Sequence, residues 1–463
     1  MLGFISTWKR QQKKGIEETG PLTTNPDPGY SSDVLSETEY YFEDGLRKVY
    51  PYFHTFTSYV KGRWLGRTVW DVFTKEFHVS TEENLLQDIN SGLLRVNDKI
   101  VTADYKLKFN DLLSHRIHRH ENPVIGTKLE IIEDNEHVIV INKPSSIPCH
   151  PCGRYRYNSI VFILGKEYGY TNLRNIYRLD RLTSGVLICA KTSEKTRELE
   201  DQILNKSVQK EYVCRVVGKF PDEVEVDQPL ECINHKISLW QVRESGKPSK
   251  TLFKRLSYNG TTSVVQCFPL TGRTHQIRVH LQYLGHPIIN DPLYSGDFWG
   301  PEAAKGKIFK CEIDEKKVGE EVIKNHNIGL WEKGPHPLFQ TRLQQVKEEA
   351  ARRKAAASTN LVNISHEEET KSTKDGDSHE EATEPPLKRF KTNDEDKMEE
   401  SRPSFDLQKW IPNENCIHCK TEYIDPQPKD LIMYLHALSY KGPDWKYQTS
   451  LPDWAQPNWQ EEH

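Results

Sequence analysis

The sequence predicts an α+β fold, on three observations. Short, nearly continuous apolar runs, such as 138–143 and 186–190, read as buried strands, while Val69, Val72, Phe73 and Phe77 fall at helical spacing. Asn259-Gly260 between two strand-like runs, 251–257 and 261–268, marks a hairpin, because Asn and Gly tolerate the positive φ of a type I′ turn. The chain has 463 residues, enough for two or three domains.

Residues 1–48 carry few periodic apolar positions and read as a disordered or extended arm. After the helical stripe of 66–77 comes a second one at Leu85, Ile89 and Leu93, then the alternating run 94–101 with an Asn97-Asp98 turn, as in a short hairpin. The stretch Ser114–Pro123, with three histidines and two arginines, reads as a phosphate-facing basic loop or an ordinary solvated one. A metal there would be crowded by the alternating arginines.

Residues 128–133 and 137–143 read as two strands, the second ended by Pro144, which lacks the donor a central strand needs. A loop with Cys149-His150-Pro151-Cys152 follows, where a single Cys-x-x-Cys reads as incidental thiols, and then an apolar helix over 158–168. Next comes a charged turn, Arg178-Leu179-Asp180-Arg181-Leu182-Thr183-Ser184-Gly185, running into the strand from Val186. Taken alone, Asp180 reads as a surface ion pair. Ser193 is placed as the N-cap of the next helix, residues 210–218 form a strand with Tyr212 near its start, and Ile277, Leu281 and Leu284 share a helical face ending at Gly285. From about Phe298 the texture turns Pro-, Lys- and Glu-rich. A helix-forming patch at 344–357 precedes an acidic low-complexity tract, and order returns at Trp410.

The net charge is −4 and the mean hydropathy −0.73. Thirteen acidic and six basic residues between 358 and 400 give that tract −7, which leaves the rest of the chain at +3 and compatible with a nucleic-acid partner. Nine scattered cysteines and no secretory leader point to free thiols in a reducing compartment. No apolar run approaches the roughly 18 residues that cross a bilayer, so no membrane partner is expected. Pro385–Lys391 reads as a nuclear import signal, and the basic start of the chain faintly resembles an organelle presequence. Nucleus or cytoplasm is therefore expected, with the mitochondrion as the alternative.

Arg178 with Asp180, Tyr212, and Arg273 with Arg278 share a theme. One carboxylate, a phenol and guanidinium groups suit a polyanion, with the carboxylate as nucleophile or base beside a sugar. These blocks resemble the RluA family of pseudouridine synthases, in its eukaryotic branch. The supporting segments are Lys143-Pro144 with His150-Pro151, Arg178 to Gly185, Lys210-Glu211-Tyr212, Thr271 to His280, Gly285 to Tyr294, and Leu435-His436-Ala437.

The resemblance implies a pseudouridine synthase fold, a mixed and largely antiparallel sheet with flanking helices and a central cleft, after a small S4-like RNA-binding module at 57–118. The catalytic domain would span 128–296 and 429–456, split by an insertion at 297–428 that is largely disordered from 342 to 405. Asp180 matches the catalytic aspartate, Tyr212 the tyrosine on the flipped uracil, Arg278 the partner of Asp180, and Arg178 a residue at the gap the flipped base leaves. Arg273 and His150 join them as substrate-binding residues. The implied partner is RNA, a transfer RNA modified at position 32 of its anticodon arm or else a messenger RNA, bound by a monomer with no cofactor or metal. The alternatives are a catalytically inactive RNA-binding protein of the same fold and a base-removing hydrolase.

Tyr177 stands where the family usually has His. The His-x-Glu…Pro-Cys-x-x-Cys of a deaminase is not found, so that activity is not expected. Cys416 and Cys419 read as half a zinc site lacking a second pair, with Cys311 as one possible complement.

Overall fold

The computed structural model describes residues 32–77, 82–235, 237–300, 302–309, 318–322, 331–367 and 402–459. They form two compact units, one holding Tyr50–His120 and Gly334–Glu422 and the other the remainder.

In the smaller unit, β1 (Tyr52–Tyr59) leads to α1 (Val69–Glu76) and α2 (Glu82–Asn90), then to β2 (Leu94–Val96), β3 (Lys99–Ile100) and β4 (Leu112–Arg119). The antiparallel sheet has the order β1-β4-β2-β3. Thr68 starts α1 by accepting a hydrogen bond from the Asp71 N–H, and the apolar stripes of both helices pack with Trp64, Leu94, Val96, Leu107 and Leu113. Asn97 and Asp98 turn the hairpin with φ of 51° and 61°, the conformation their side chains tolerate best after glycine.

One expectation needs correction here. The basic stretch from Ser114 is not a loop for most of its length: Ser114 to Arg119 is strand, paired with β1, and only 120–123 are irregular. Polar side chains on both faces left no apolar alternation to read. The segment expected to be disordered from 342 begins instead within a helix, Phe339–Glu367, which contains the helix-forming patch. Arg342 on that helix is buried, donating to the Trp410 and Gln408 carbonyls at 3.0 and 2.7 Å. The import-like cluster at 385–391 lies outside the described residues, as does Cys311.

The larger unit is built on a mixed sheet. Its strands are β5 (Glu130–Asp134), β6 (Val138–Lys143), β7 (Ser184–Ala190), β8 (Gln209–Val217), β9 (Glu223–Asp227), β10 (Lys250–Tyr258), β11 (Thr262–Pro269) and β12 (Leu435–Lys441). They run in the order β9-β10-β11-β8-β12-β7-β6-β5, with short strands at 174–175 and 446–448 adding to β7 and β12. Only the β7–β12 pair is parallel, so the sheet is mixed and largely antiparallel. Helices α3 (Ile160–Tyr168), α4 (Ser193–Leu204) and α5 (Gln276–Tyr283) accompany it.

The N-cap of α4 is Thr192 rather than Ser193: its side chain accepts from the Lys195 N–H. The late block Leu435-His436-Ala437 lies in β12, inserted between β7 and β8. That insertion requires Gly185, which has φ of 108° and sits so close to β12 that an added Cβ would lie 2.2 Å from the Ala437 carbonyl oxygen.

The expected arm ends earlier than residue 48. Ser32–Leu35 is helical, and Tyr40–Glu43 pairs with Leu46–Val49, which in turn pairs with Val124–Ile125. Residues 1–31 lie outside the description. The pair was hidden because its anchor is polar: Arg47, at 0% exposure, forms an ion pair with Glu167 and lies over the Tyr40 and Phe42 rings.

Candidate active site

Asp180 sits in a loop whose two leucines, Leu179 and Leu182, are buried. The loop is clamped from below by residues 143–149. Lys143, fully buried, donates to the carbonyls of Pro144, Ile147 and Arg181 at 2.8, 2.8 and 3.1 Å. Burial pushes its ammonium down to about 8. Ser145 Oγ donates to the Leu182 carbonyl at 2.5 Å, and the Leu179 N–H points at Cys149 Sγ, 3.3 Å away. Cys149 thus holds the loop through its sulfur, while Cys152 is exposed.

The carboxylate itself is reached by groups from far along the chain. Arg278 on α5 donates from NH1 to Asp180 Oδ2 at 3.0 Å. Its other edge is locked, Nε and NH2 donating to Asp291 at 2.6 and 2.8 Å. Asp291 is buried and also accepts from the N–H groups of Leu293 and Tyr294. Burial opposes charge on Arg278, but Asp291 more than offsets it. A bidentate carboxylate therefore aims the guanidinium and leaves NH1 facing Asp180.

His275, in a left-handed conformation at the start of α5, places Nε2 3.6 Å from Asp180 Oδ2 and Nδ1 2.9 Å from the Tyr294 hydroxyl. Burial alone would push the Asp180 carboxyl up, yet His275 when protonated, the Arg278 charge and hydrogen bond, and Arg178 together outweigh it and hold it below the usual range. Burial and Arg278 push His275 down to about 4, so near neutral pH it is uncharged and the standing cation is Arg278. Asp180 keeps 22% of its side chain exposed, which leaves an ionised oxygen accessible to a reactant.

Aromatic groups complete the site. Tyr212 lies at a bulge in the β8–β12 register, and bulges commonly re-aim a side chain. Its hydroxyl meets that of Tyr440 on β12. Tyr177, which departs from the expected His, stacks on Tyr440 with ring centroids 4.5 Å apart and donates to the Val186 carbonyl at 2.8 Å. The substitution is thus accommodated by packing behind the loop.

Of the residues singled out in the sequence, the structure brings together Asp180, Arg278 and Tyr212, whose phenol feels the Asp180 charge. Arg178 is exposed and acts electrostatically on Asp180 and on His150, whose imidazole burial and then Arg178 push down. Arg273 is different: exposed on its turn, it donates to the Pro248 carbonyl at 3.1 Å. Arg181 lies over the Tyr155 ring, its NH1 buried without a hydrogen-bond partner among the described residues. Sequence reasoning missed the roles of Asp291, His275 and Tyr440. The first two lie within motif blocks already noted, so their position was visible and their geometry was not.

Three buried imidazoles set a pH dependence. His275, His280 and His436 are each pushed down to about 4, burial being the leading cause. An unfolded chain protonates them near pH 6.5, so it binds more protons than the folded one between those values. Stability should therefore fall as pH drops from 6.5 toward 4, by up to about 3 kcal/mol per histidine. Urea midpoints at pH 7.5, 6 and 5 test this. A flat profile would contradict it, and His280→Gln should flatten it in part.

A partly exposed carboxylate, kept ionised by a buried and locked guanidinium beside paired phenols, defines a site for nucleophilic or base chemistry by an aspartate. The sequence profile described as RNA pseudouridylate synthase matches residues 137–283. The chain is 40% identical to Pseudouridylate synthase RPUSD2 of Mus musculus, over 98% of this chain and 80% of that one. It is 34% identical to the tRNA pseudouridine(32) synthase, mitochondrial, of Saccharomyces cerevisiae, over 90% and 79% of the two chains. To RNA pseudouridine synthase 7 of Oryza sativa subsp. japonica it is 33% identical, over 90% and 92%. The chain belongs to the RluA family of RNA pseudouridine synthases, and is an isomerase of uridine in RNA.

Proposed function

We propose that this chain converts uridine to pseudouridine in a transfer RNA, at position 32 of the anticodon arm, with Asp180 as the catalytic residue. The observation that carries the reading is the Asp291–Arg278–Asp180 relay, which presents one ionised carboxylate oxygen and fixes its direction. The transfer-RNA substrate is supported by the name of the yeast relative.

In this reading the target uridine leaves its stack, at a cost of a few kcal/mol that is smallest in a loop. Asp180 attacks C1′ or removes the C2′ proton, and the C1′–N1 bond breaks. The freed uracil turns over Tyr212, and C5 bonds to C1′ as the Asp180–C1′ ester breaks or, on the other path, as C2′ regains the proton held by Asp180. The C5 proton is then released as N1 gains one, so that the product is an isomer of the substrate. Arg278 keeps Asp180 ionised until it reacts. Arg178 fills the gap left by the flipped base, and His150 and Arg273 meet the RNA backbone. The smaller unit contributes an S4-like RNA-binding surface from 57–118, where two helices precede a hairpin. The protein works as a monomer.

The test uses the full chain and a transfer-RNA transcript labelled with tritium at uridine C5. Tritium release with the base retained in the RNA supports the reading. RNA binding without release would identify an inactive RNA-binding protein, and free uracil a hydrolase. Mapping the modified position separates residue 32 from other uridines and transfer RNA from messenger RNA.

A further inference from the structure

The smaller unit holds a second chemical constellation. His118 lies near the end of β4 and His120 just beyond it, and a ring nitrogen of each meets Cys419 Sγ. Cys416 caps a short helix, Ile417–Lys420, and Cys419 follows one turn later on the same side. The four ligand atoms, two Sγ and two ring nitrogens, all lie within 4.8 Å of one another. Cys419 Sγ is 3.4 Å from His118 Nδ1 and 3.3 Å from His120 Nε2, and Cys416 Sγ is 3.4 Å from His120 Nε2.

We infer that His118, His120, Cys416 and Cys419 form a structural zinc site of the Cys2His2 type. Zn–S bonds of about 2.3 Å and Zn–N bonds of about 2.0–2.1 Å at tetrahedral angles separate sulfur from nitrogen by about 3.6 Å. The spacings here are close to that value. Two thiolates with two imidazoles are the donor set that selects Zn2+ over hard cations, which take oxygen. Four protein ligands close the coordination sphere, so the ion would be structural and have no part in the isomerisation.

The surroundings fit. The Asn413 N–H donates to Cys419 Sγ at 3.4 Å, an outer contact of the kind that stabilises a ligating thiolate. The objection that neighbouring arginines would crowd a cation is weakened by their placement. Arg119 alternates to the other strand face with its guanidinium over the Phe56 ring, and Arg116 lies over Phe53 at 4.5 Å from the ring centroid. The second pair missing from the sequence reading is thus supplied by β4, about 300 residues away. The ion would tie the short helix Ile417–Lys420 to the C-terminal end of β4, closing a loop of that length at one point.

The experiment measures metal in the full chain, purified in reducing buffer after expression with zinc. About one zinc per chain is expected, falling at least tenfold in Cys416→Ser/Cys419→Ser and in His118→Ala/His120→Ala, and unchanged in Cys152→Ser. Because a variant could fail to fold, the wild-type protein is also stripped and refilled with Co2+. Tetrahedral ligand-field bands with sulfur-to-cobalt charge transfer support the site. Wild-type protein that carries no more zinc than the cysteine variant, an octahedral cobalt spectrum, or a Cys416–Cys419 disulfide in zinc-replete protein would each overturn it.

Discussion

Asp180→Asn is expected to yield a folded protein that binds RNA and makes no detectable pseudouridine, a loss on the order of 10^4-fold or more for removal of a nucleophile. The change is nearly isosteric. Arg278 keeps its two bonds to Asp291, and the asparagine oxygen can still accept from NH1. The unfolding midpoint should therefore shift by only a few degrees, about what a ΔΔG of 1 kcal/mol gives in a domain of this size. Tritium release from the labelled transcript measures the first effect, and a gel-shift titration shows whether binding survives. Substantial residual product would remove Asp180 from the role of nucleophile.

What could be read from the sequence divides along physical lines. Strands with continuous apolar runs and helices with apolar stripes were legible to within about three residues, because burial on both faces or on one imposes the pattern. The Tyr40–Val49 pair and β4 were missed for the opposite reason. The first is anchored by Arg47, buried against a Glu167 far away in sequence, and the second carries polar side chains on both faces, so no local pattern signals either. The site shows the same split. Asp180, Arg278 and Tyr212 were legible through family blocks, whereas Asp291 lay in such a block without its role being visible, and Tyr440 carried no sequence signal. Tyr177 was an unexplained departure until its ring was found stacked on Tyr440. The two halves of the proposed zinc site were each weak alone, and only the fold places them together.

The ion pair behind the nucleophile carries the second large effect. Arg278→Met leaves Asp291 as an uncompensated buried anion, and breaking such a pair costs about 3–5 kcal/mol. It also removes the charge that holds the Asp180 carboxyl down, so any residual activity should have its acid limb at higher pH. Adding Asp291→Asn neutralises the orphaned anion while keeping an acceptor for the Leu293 and Tyr294 N–H groups. The double variant should therefore regain most of the lost stability, with a coupling of about 2–3 kcal/mol in the cycle. Activity should not return with it, since Asp180 still lacks its cation. Urea unfolding and tritium release on the four proteins separate the two roles. If activity recovers in step with stability, Arg278 serves only to hold the fold, and the ionisation of Asp180 has another source.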